Sequence, residues 1–467
     1  MRVETGSAAD RLRAAGLADS DVAEWMTAQQ SATADYDGDQ RRYSQFWARC
    51  DELVRRLPDK PARSGAEAAA AEAIFLIARD HRERFLSAYA DTVYDRLTRN
   101  RCRFVRIEDL LCEAAAAVPG LTPGAERIAA ESSRLQRDKD GIEIDQGIFL
   151  AHVLAGERAG THFCHAMLLP RPEAHELLPR LDAEGAIDLG GATVERIGKA
   201  AVVTMQNPRF LNAEDQTTID PLEIAVDVAT LDPATRIAVL RGGTLDHPKY
   251  RGRRVFGTGI NLTRLYRGEI PFAWFLKRDL GVVHKFLRGV ATPAALPDDV
   301  NGTGIEKLWV AAVDGFAIGG HCQILLAMDY TVAANDAFLT LPARKEGIIP
   351  GLANLRMPRF TGDRIARQAI QYERKLMCDS PEGRLICDEV VPPQDMDSAI
   401  ERVVDGLANA GAVSAVGNRR ALRVGQEPLD LFRRYCSAYA RDQAYCYVSP
   451  ALIANLERNW DARNRRI

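Results

Sequence analysis

Leu308-Trp-Val-Ala-Ala-Val313 runs without a break into Asp314-Gly-Phe-Ala-Ile-Gly-Gly-His-Cys-Gln323. The first six residues are all apolar, the pattern of a short strand buried on both faces. The Gly319-Gly320 pair then turns the chain, and Ile324, Leu325 and Met328 mark a helix. Tyr330-Thr-Val-Ala-Ala334 supplies the next strand. Strand, glycine turn, helix and strand form the repeating unit of a parallel sheet, whose connections cross over one face. The same alternation extends upstream. Val194–Ile197, Gly198-Lys199 and Ala200–Met205 read as a β-hairpin. Ile219, Leu222, Val226 and Ala229 fall at helical spacing, and Arg236–Arg241 is a buried-strand run. Phe272, Phe275, Leu276, Leu280, Val283 and Leu287 predict one amphipathic helix. The fold class is α/β, in layers.

Around this core the character differs. Residues 1–190 read as a mostly helical domain. Gly65–Ile74 is alanine-rich, and Phe85, Leu86, Tyr89, Val93, Tyr94 and Leu97 share one helical face. Pro119-Gly120, Pro123-Gly124 and Asp138–Gly141 interrupt it. Residues 191–395 form the α/β core, and 396–467 are helical again and rich in arginine. Lys and Arg number 61 against 64 Asp and Glu, a net charge of −3 that excludes nucleic-acid binding through bulk charge. The most apolar stretch, Leu308–Ala334, is broken by Asp314, His321, Gln323 and Asp329, so it reads as core and no membrane span is expected. Nine scattered cysteines with no CxxC pair, and a start carrying Glu4 and Asp10, predict a cytoplasmic protein without a disulfide framework.

Two glycine turns are the candidate chemistry. Phe256-Gly-Thr-Gly-Ile-Asn261 and Asp314–His321 each lead from a strand-like run into a helix-like one. Such turns can aim backbone N–H groups at one point, or they can simply be tight turns. Neither is a Walker loop or a G-x-G-x-x-G dinucleotide loop. His162, Cys164 and His165 could ligate zinc or iron, but no carboxylate or second cysteine stands at ligand spacing. Histidines on a helix face are the simpler reading, and no metal is expected. His321, beside the second turn, is a candidate general base or a ring pointing out of the turn.

Four motifs in order resemble the crotonase (enoyl-CoA hydratase/isomerase) superfamily. They are Gln206-Asn-Pro-Arg-Phe-Leu-Asn-Ala213, Phe256–Asn261, Val313–Gln323 and Pro342-Ala-Arg-Lys-Glu-Gly-Ile-Ile-Pro-Gly351. The resemblance spans residues 193–460 and implies a ββα-superhelix core followed by a helical C-terminal oligomerisation region. It also implies an acyl-CoA thioester substrate whose enolate is held by the backbone N–H groups of Ile260 and Gly320. The family's two water-handling glutamates fall on Gln323 and Ala343, with Glu346 three residues further on. Neither an amide nor a methyl group can act as a base, so hydration is disfavoured.

With its long helical N-terminal region, Phe316-Ala-Ile-Gly-Gly320 and Lys345-Glu-Gly-Ile-Ile-Pro-Gly351, the chain resembles the family's oxygen-using members of glycopeptide antibiotic pathways. That implies dioxygenation of 3,5-dihydroxyphenylacetyl-CoA with no metal and no organic cofactor, the aryl-acetyl-CoA thioester and O2 being the partners. By the same resemblance Gln323 lies by the thioester or bound oxygen, and Glu214 and Arg278 around the aryl group. Arg209 falls near the CoA phosphates, where Arg254, with Lys249, Arg251 and Arg253, adds positive charge. Ile348, Ile349 and Leu352 would line an oxygen pocket or serve as ordinary core. A homotrimer or hexamer is expected, with Leu422, Leu429, Phe432, Tyr439, Leu452 and Leu456 available for packing between copies. The alternatives are another acyl-CoA isomerase, hydrolase or lyase on the same fold, and a non-catalytic acyl-CoA-binding protein.

Overall fold

The computed structural model describes residues 5–298, 300, 302, 304–409 and 412–465. The chain divides into two compact units: Met1–Phe163 with Pro271–Ala273 and Cys436–Val448, and Cys164–Ile270 with Trp274–Tyr435 and Ser449–Ile467.

The first unit is helical. Its longest helix, Gly65–Leu97, begins at a reciprocal cap: Ser64 accepts from the Glu67 N–H, and the Glu67 carboxylate accepts from the Ser64 N–H. Phe85, Leu86, Val93 and Tyr94 are buried along one face, as their spacing predicts. Trp47 packs edge-on against Phe85 and donates its indole N–H to the Ala78 carbonyl at 3.2 Å. The two Pro-Gly breaks separate helix Ile107–Ala117 from helix Ala125–Ser132.

The second unit is built on a seven-stranded sheet. Its strands are β1 (Ala186–Asp188), β2 (Ala192–Ile197), β3 (Ala200–Met205), β4 (Ile237–Gly242), β5 (Leu308–Val313), β6 (Tyr330–Ala334) and β7 (Glu389–Val391). They lie side by side in chain order. β1, β2 and β3 are antiparallel, and β3 to β7 are parallel. The hairpin and β4 to β6 stand where the sequence predicts them. β1 and β7 are three-residue edge strands, too short for a period to register. Helix Ile219–Leu231 crosses from β3 to β4, and helix Gly320–Leu325 from β5 to β6.

A second, three-stranded sheet pairs Phe316–Ile318 with Phe338–Thr340 in parallel, and the latter with Leu376–Met377. It extends the strand end from which the second glycine turn springs. The amphipathic run from Phe272 is not one regular helix. Ala273–Lys277 and His284–Arg288 are α-helical, and Arg278–Val283 between them is π-helical. A π segment widens the helix locally and is common at functional sites.

The packing positions expected between copies are mostly used within the chain. Leu429, Phe432, Tyr439, Leu452 and Leu456 are buried, and Leu422 alone of the six is open to solvent. No described helix is long and apolar enough to cross a membrane. None of the nine cysteines is joined in a disulfide.

Candidate active site

The site grows from the carboxyl ends of β3, β4 and β5, where the parallel strands release their loops. After β3 the Asn207–Ala213 motif folds back on itself. Leu211 and Asn212 both take left-handed backbone, with φ of 57° and 55°. Asn212 is the rivet. Its side-chain oxygen accepts from the Asn207 N–H, and its amide donates to the carbonyls of Gly243 and Val255 at 3.0 Å each. That ties the loop after β3 to the chain entering the first glycine turn.

The next residue but one, Glu214, brackets Ile260. The Glu214 N–H donates to the Gly259 carbonyl at 2.7 Å, and the Asn261 N–H donates to the Glu214 carbonyl at 2.8 Å. Buried Asp215 adds a second brace by accepting from the Asn261 side chain at 3.0 Å. These bonds consume the groups on either side of Ile260 and leave its own N–H undirected.

The two turns are joined edge to edge. The Gly257 N–H donates to the Phe316 carbonyl at 3.1 Å, and the Ile318 N–H returns to the Gly257 carbonyl at 3.0 Å. A methyl group on Gly259 would lie 2.7 Å from the Gly320 nitrogen, so the approach requires glycine there. Neither the Ile260 N–H nor the Gly320 N–H donates to any described residue. Two neighbouring turns thus present two unspent donors.

His321 locks this arrangement and is not a base. Its Nδ1 accepts the Gly259 N–H at 2.8 Å, which fixes the ring as the Nε2–H tautomer. The ring is fully buried, edge-on to Phe256, and burial lowers its pKa to about 4. Its lone pair is already spent on the backbone.

Behind Gly320 lies a buried polar cluster centred on Arg278, the first residue of the π-helical segment. Arg278 Nε donates to Glu214 Oε1 at 2.8 Å and Nη2 to the Gly320 carbonyl at 2.7 Å. Nη1 is shared between Gln323 Oε1 and Asp279 Oδ1, each at 3.0 Å. Asp279 went unnoticed in the sequence. Burial raises its pKa to about 6, against the pull of the Arg278 guanidinium. Glu214 Oε2 is buried with no hydrogen-bond partner among the described residues. The structure therefore brings together four residues singled out from sequence: Glu214, Arg278, Gln323 and Gly320.

In front of Ile260 opens a cleft of about 420 Å³. Arg209 lines it, with Phe210, Ala213, Ile318, Pro342 and Glu346. Glu214, Arg278 and Gln323 do not reach the cleft and lie behind the turns. Against Glu214 and His321 there is only a void of about 10 Å³. Arg254 stands apart, exposed, near Arg241 and Asp314, with the Gly242 carbonyl 3.5 Å from Nη1. Ile348 and Ile349 are half-buried, Leu352 is fully buried, and none of the three lines the cleft. The Leu352 N–H donates to the Tyr435 hydroxyl at 2.8 Å.

His162 stacks on Phe104 at 4.7 Å and bonds the Tyr94 hydroxyl through Nδ1 at 2.7 Å. His165 Nε2 lies 3.2 Å from the Thr292 carbonyl. Among the described residues no group of three or more His, Cys, Asp or Glu is arranged to hold a metal ion.

A profile described as enoyl-CoA hydratase/isomerase matches residues 301–428. The chain is 47% identical over 407 residues to a (3,5-dihydroxyphenyl)acetyl-CoA 1,2-dioxygenase of Amycolatopsis orientalis, covering 87% of this chain and 92% of that protein. It is 23% identical to a short-chain-enoyl-CoA hydratase of Clostridium acetobutylicum, over 52% of this chain and 84% of that one. Among solved structures, an enoyl-CoA hydratase of Mycobacterium avium subsp. paratuberculosis K-10 aligns with a TM-score of 0.47 and 20% identity, covering 58% of this chain and 98% of that one.

The His321 lock predicts a pH signature. An unfolded histidine titrates near 6.5 and the folded ring near 4, so between these values the unfolded chain binds more protons. Stability should fall as pH drops through that window. His321→Phe keeps the aromatic volume but orphans the Gly259 N–H. It should cost about 1–3 kcal/mol in urea unfolding at pH 7 and remove this residue's share of the acid slope.

Proposed function

The chain belongs to the crotonase (enoyl-CoA hydratase/isomerase) superfamily, and we propose that it is a dioxygenase within it, converting 3,5-dihydroxyphenylacetyl-CoA and O2 to 3,5-dihydroxyphenylglyoxylate and CoA. The observation that carries this is the 47% identity over 87% of the chain, which extends into the helical N-terminal region. The hydratase likeness spans only 52%. The site agrees with that division. Where the superfamily's hydratases place carboxylates to handle water, this chain has Gln323, whose oxygen accepts from Arg278, and the methyl group of Ala343.

The Ile260 and Gly320 N–H groups bind the thioester oxygen and gain strength as it becomes an enolate oxygen. Preorganised donors of this kind supply several kcal/mol selectively to the charged state. The α-carbanion is benzylic as well as adjacent to the thioester, so charge spreads over the dihydroxyaryl ring. This electron-rich enolate reduces O2 by one electron, and the pair couples to a peroxide at the α-carbon. The peroxide attacks the thioester carbonyl and expels CoA, which leaves a four-membered cyclic peroxide. Loss of the second α-proton sends its C–H electron pair into the new ketone and breaks the O–O bond, giving the arylglyoxylate carboxylate. The reacting electrons come from the substrate, so the reaction calls on neither a metal nor an organic cofactor. Glu214, held by Arg278 through one oxygen, supports the turn from behind, with Arg278 also bonding the Gly320 carbonyl. Arg209, which lines the cleft, is the group that meets a CoA phosphate on this reading.

The test is to incubate chelator-treated protein with 3,5-dihydroxyphenylacetyl-CoA in air and under argon, following free thiol and dissolved oxygen. Thiol release matched by oxygen uptake is expected. Equal thiol release under argon would make the protein a hydrolase, and none in either atmosphere a binding protein.

Gly320→Ala tests the donor pair. Its methyl group would lie 2.3 Å from Glu214 Oε2 and 2.9 Å from Arg278 Nη2, so the turn must move. Turnover should drop by about 100-fold, the scale of losing one oxyanion donor. Gln323→Glu tests the charge balance. It places a third carboxylate on Arg278, beside a developing enolate. Like charges about 4 Å apart repel by about 4 kcal/mol at an effective dielectric near 20. Oxygenation should fall steeply, less so at low pH where the new acid is protonated, and no hydratase activity should arise.

A further inference from the structure

The enolate needs a base, and the groups that read as bases from sequence are spent. Gln323 is an amide, Ala343 a methyl, and the Nδ1 lone pair of His321 is held by the Gly259 N–H. Glu214 is committed to Arg278 through one oxygen and lies behind the turns. One carboxylate in the cleft is not committed. Glu346 closes the single helical turn Ala343–Glu346, which Gly347 terminates with φ of 84°. Residues three apart on a helix share a face, so Glu346 projects on the same side as Ala343, one turn further along. It is only 5% exposed yet lines the cleft that Ile260 borders. Apolar side chains, among them Leu211, Ala213, Ile318 and Pro342, make up part of the cleft lining. No hydrogen bond or ion pair engages its side chain among the described residues. A buried carboxylate with no partner is costly, and such cost persists where a group must be available for reaction.

We infer that Glu346 is the base that takes the α-proton of the thioester bound at Ile260 and Gly320. The inference rests on the acyl-CoA reading above. In this step the α-C–H bond breaks and its electron pair enters the enolate π system. The proton goes to the Glu346 carboxylate, and no oxidant is consumed. When the peroxide later expels CoA, the departing thiolate takes that proton as CoA-SH and the carboxylate is restored.

The electrostatics suit the task. Burial raises the Glu346 pKa to about 7, with the Glu373 carboxylate adding to the rise. Lys345 and Arg344 do not counter this, because both turn toward Glu373, at 2.6 and 3.5 Å. The helix Pro450–Trp460 packed against the turn contributes neutral amides, Asn455 and Asn459, which donate to the carbonyls of Arg344 and Lys345. Arg209, His247 and Arg465 share the cleft. A base with a pKa near the working pH balances availability against proton affinity.

The experiment follows α-hydrogen exchange of 3,5-dihydroxyphenylacetyl-CoA in D2O under argon by mass spectrometry, and turnover in air, across pH 5.5–9. Wild-type rates should rise with pH through an inflection near 7, as the carboxylate ionises. Glu346→Gln should lower both rates by ~10²–10⁴-fold with little change in KM, and should abolish the inflection. Glu346→Ala should regain rate with added formate or acetate, a rescue that a packing role would not produce. A Gln variant that keeps both rates, or an Ala variant with no loss, would overturn the assignment. Wild-type exchange that depends on Glu346 without oxygen uptake in air would sink the dioxygenase reading and leave the base assigned.

Discussion

The contact on which this site depends is the close passage of two backbone turns. The chain at Gly259 runs so near Gly320 that a methyl group between them would stand 2.7 Å from the Gly320 nitrogen. Everything around the passage serves to hold it. Asn212 ties the incoming loop to Gly243 and Val255, Glu214 brackets Ile260 with two backbone bonds, and His321 catches the Gly259 N–H. Each bond is modest alone, on the order of 1 kcal/mol net. Together they fix two N–H groups without using them. A donor held in place before the reaction loses nothing to reorientation when charge develops, which is the source of its advantage over water.

The chain's charges are arranged around that passage asymmetrically. Behind it, Arg278 gathers Glu214, Asp279, Gln323 and the Gly320 carbonyl in a dry cluster. In front, the cleft is lined by Arg209 and Arg465 and, among the described residues, by a single carboxylate, Glu346. The guanidinium bonds directly to the carbonyl of Gly320, whose N–H is one of the two donors, so the polar cluster and the donor pair form one mechanical unit. The π segment makes this possible. It places Arg278 and Asp279 consecutively on a widened turn, and both reach the same buried space.

Much of this was legible in the residues. The strand runs at Ala200, Ile237, Leu308 and Tyr330 are continuous apolar stretches, and a parallel sheet covered on both faces produces that pattern. The two glycine turns were legible because only glycine meets their backbone demands. Other features left no trace. A π turn has the same apolar spacing as an α-helix to within one residue, so the break at Arg278 could not be read. Edge strands of three residues carry no period. His321 could be placed beside the turn but not oriented, and its direction decides whether it is a base or a brace. Phe432 and Leu456 read as apolar in either setting, and burial in the chain's own core was as consistent with their spacing as an interface.

Glu346 illustrates how sequence register can hide chemistry. Aligned by position, the third signature has lost its glutamate, because Ala343 occupies the place. Aligned by helical face, a carboxylate stands one turn along, since a helix returns to the same side after three or four residues. What differs is the distance along the axis, about 1.5 Å per residue, or 4.5 Å for three. A carboxylate displaced by that much no longer pairs with a partner at position 323 to grip one water molecule between them. It can still face a substrate carbon in the same cleft. Loss of the pair disfavours hydration, and the inferred role of the single buried acid is proton removal. Gln323 itself is a neutral amide bonded to Arg278. On the proposed reading the two substitutions are one change in chemistry: from adding water across a double bond to making an enolate and leaving it for oxygen.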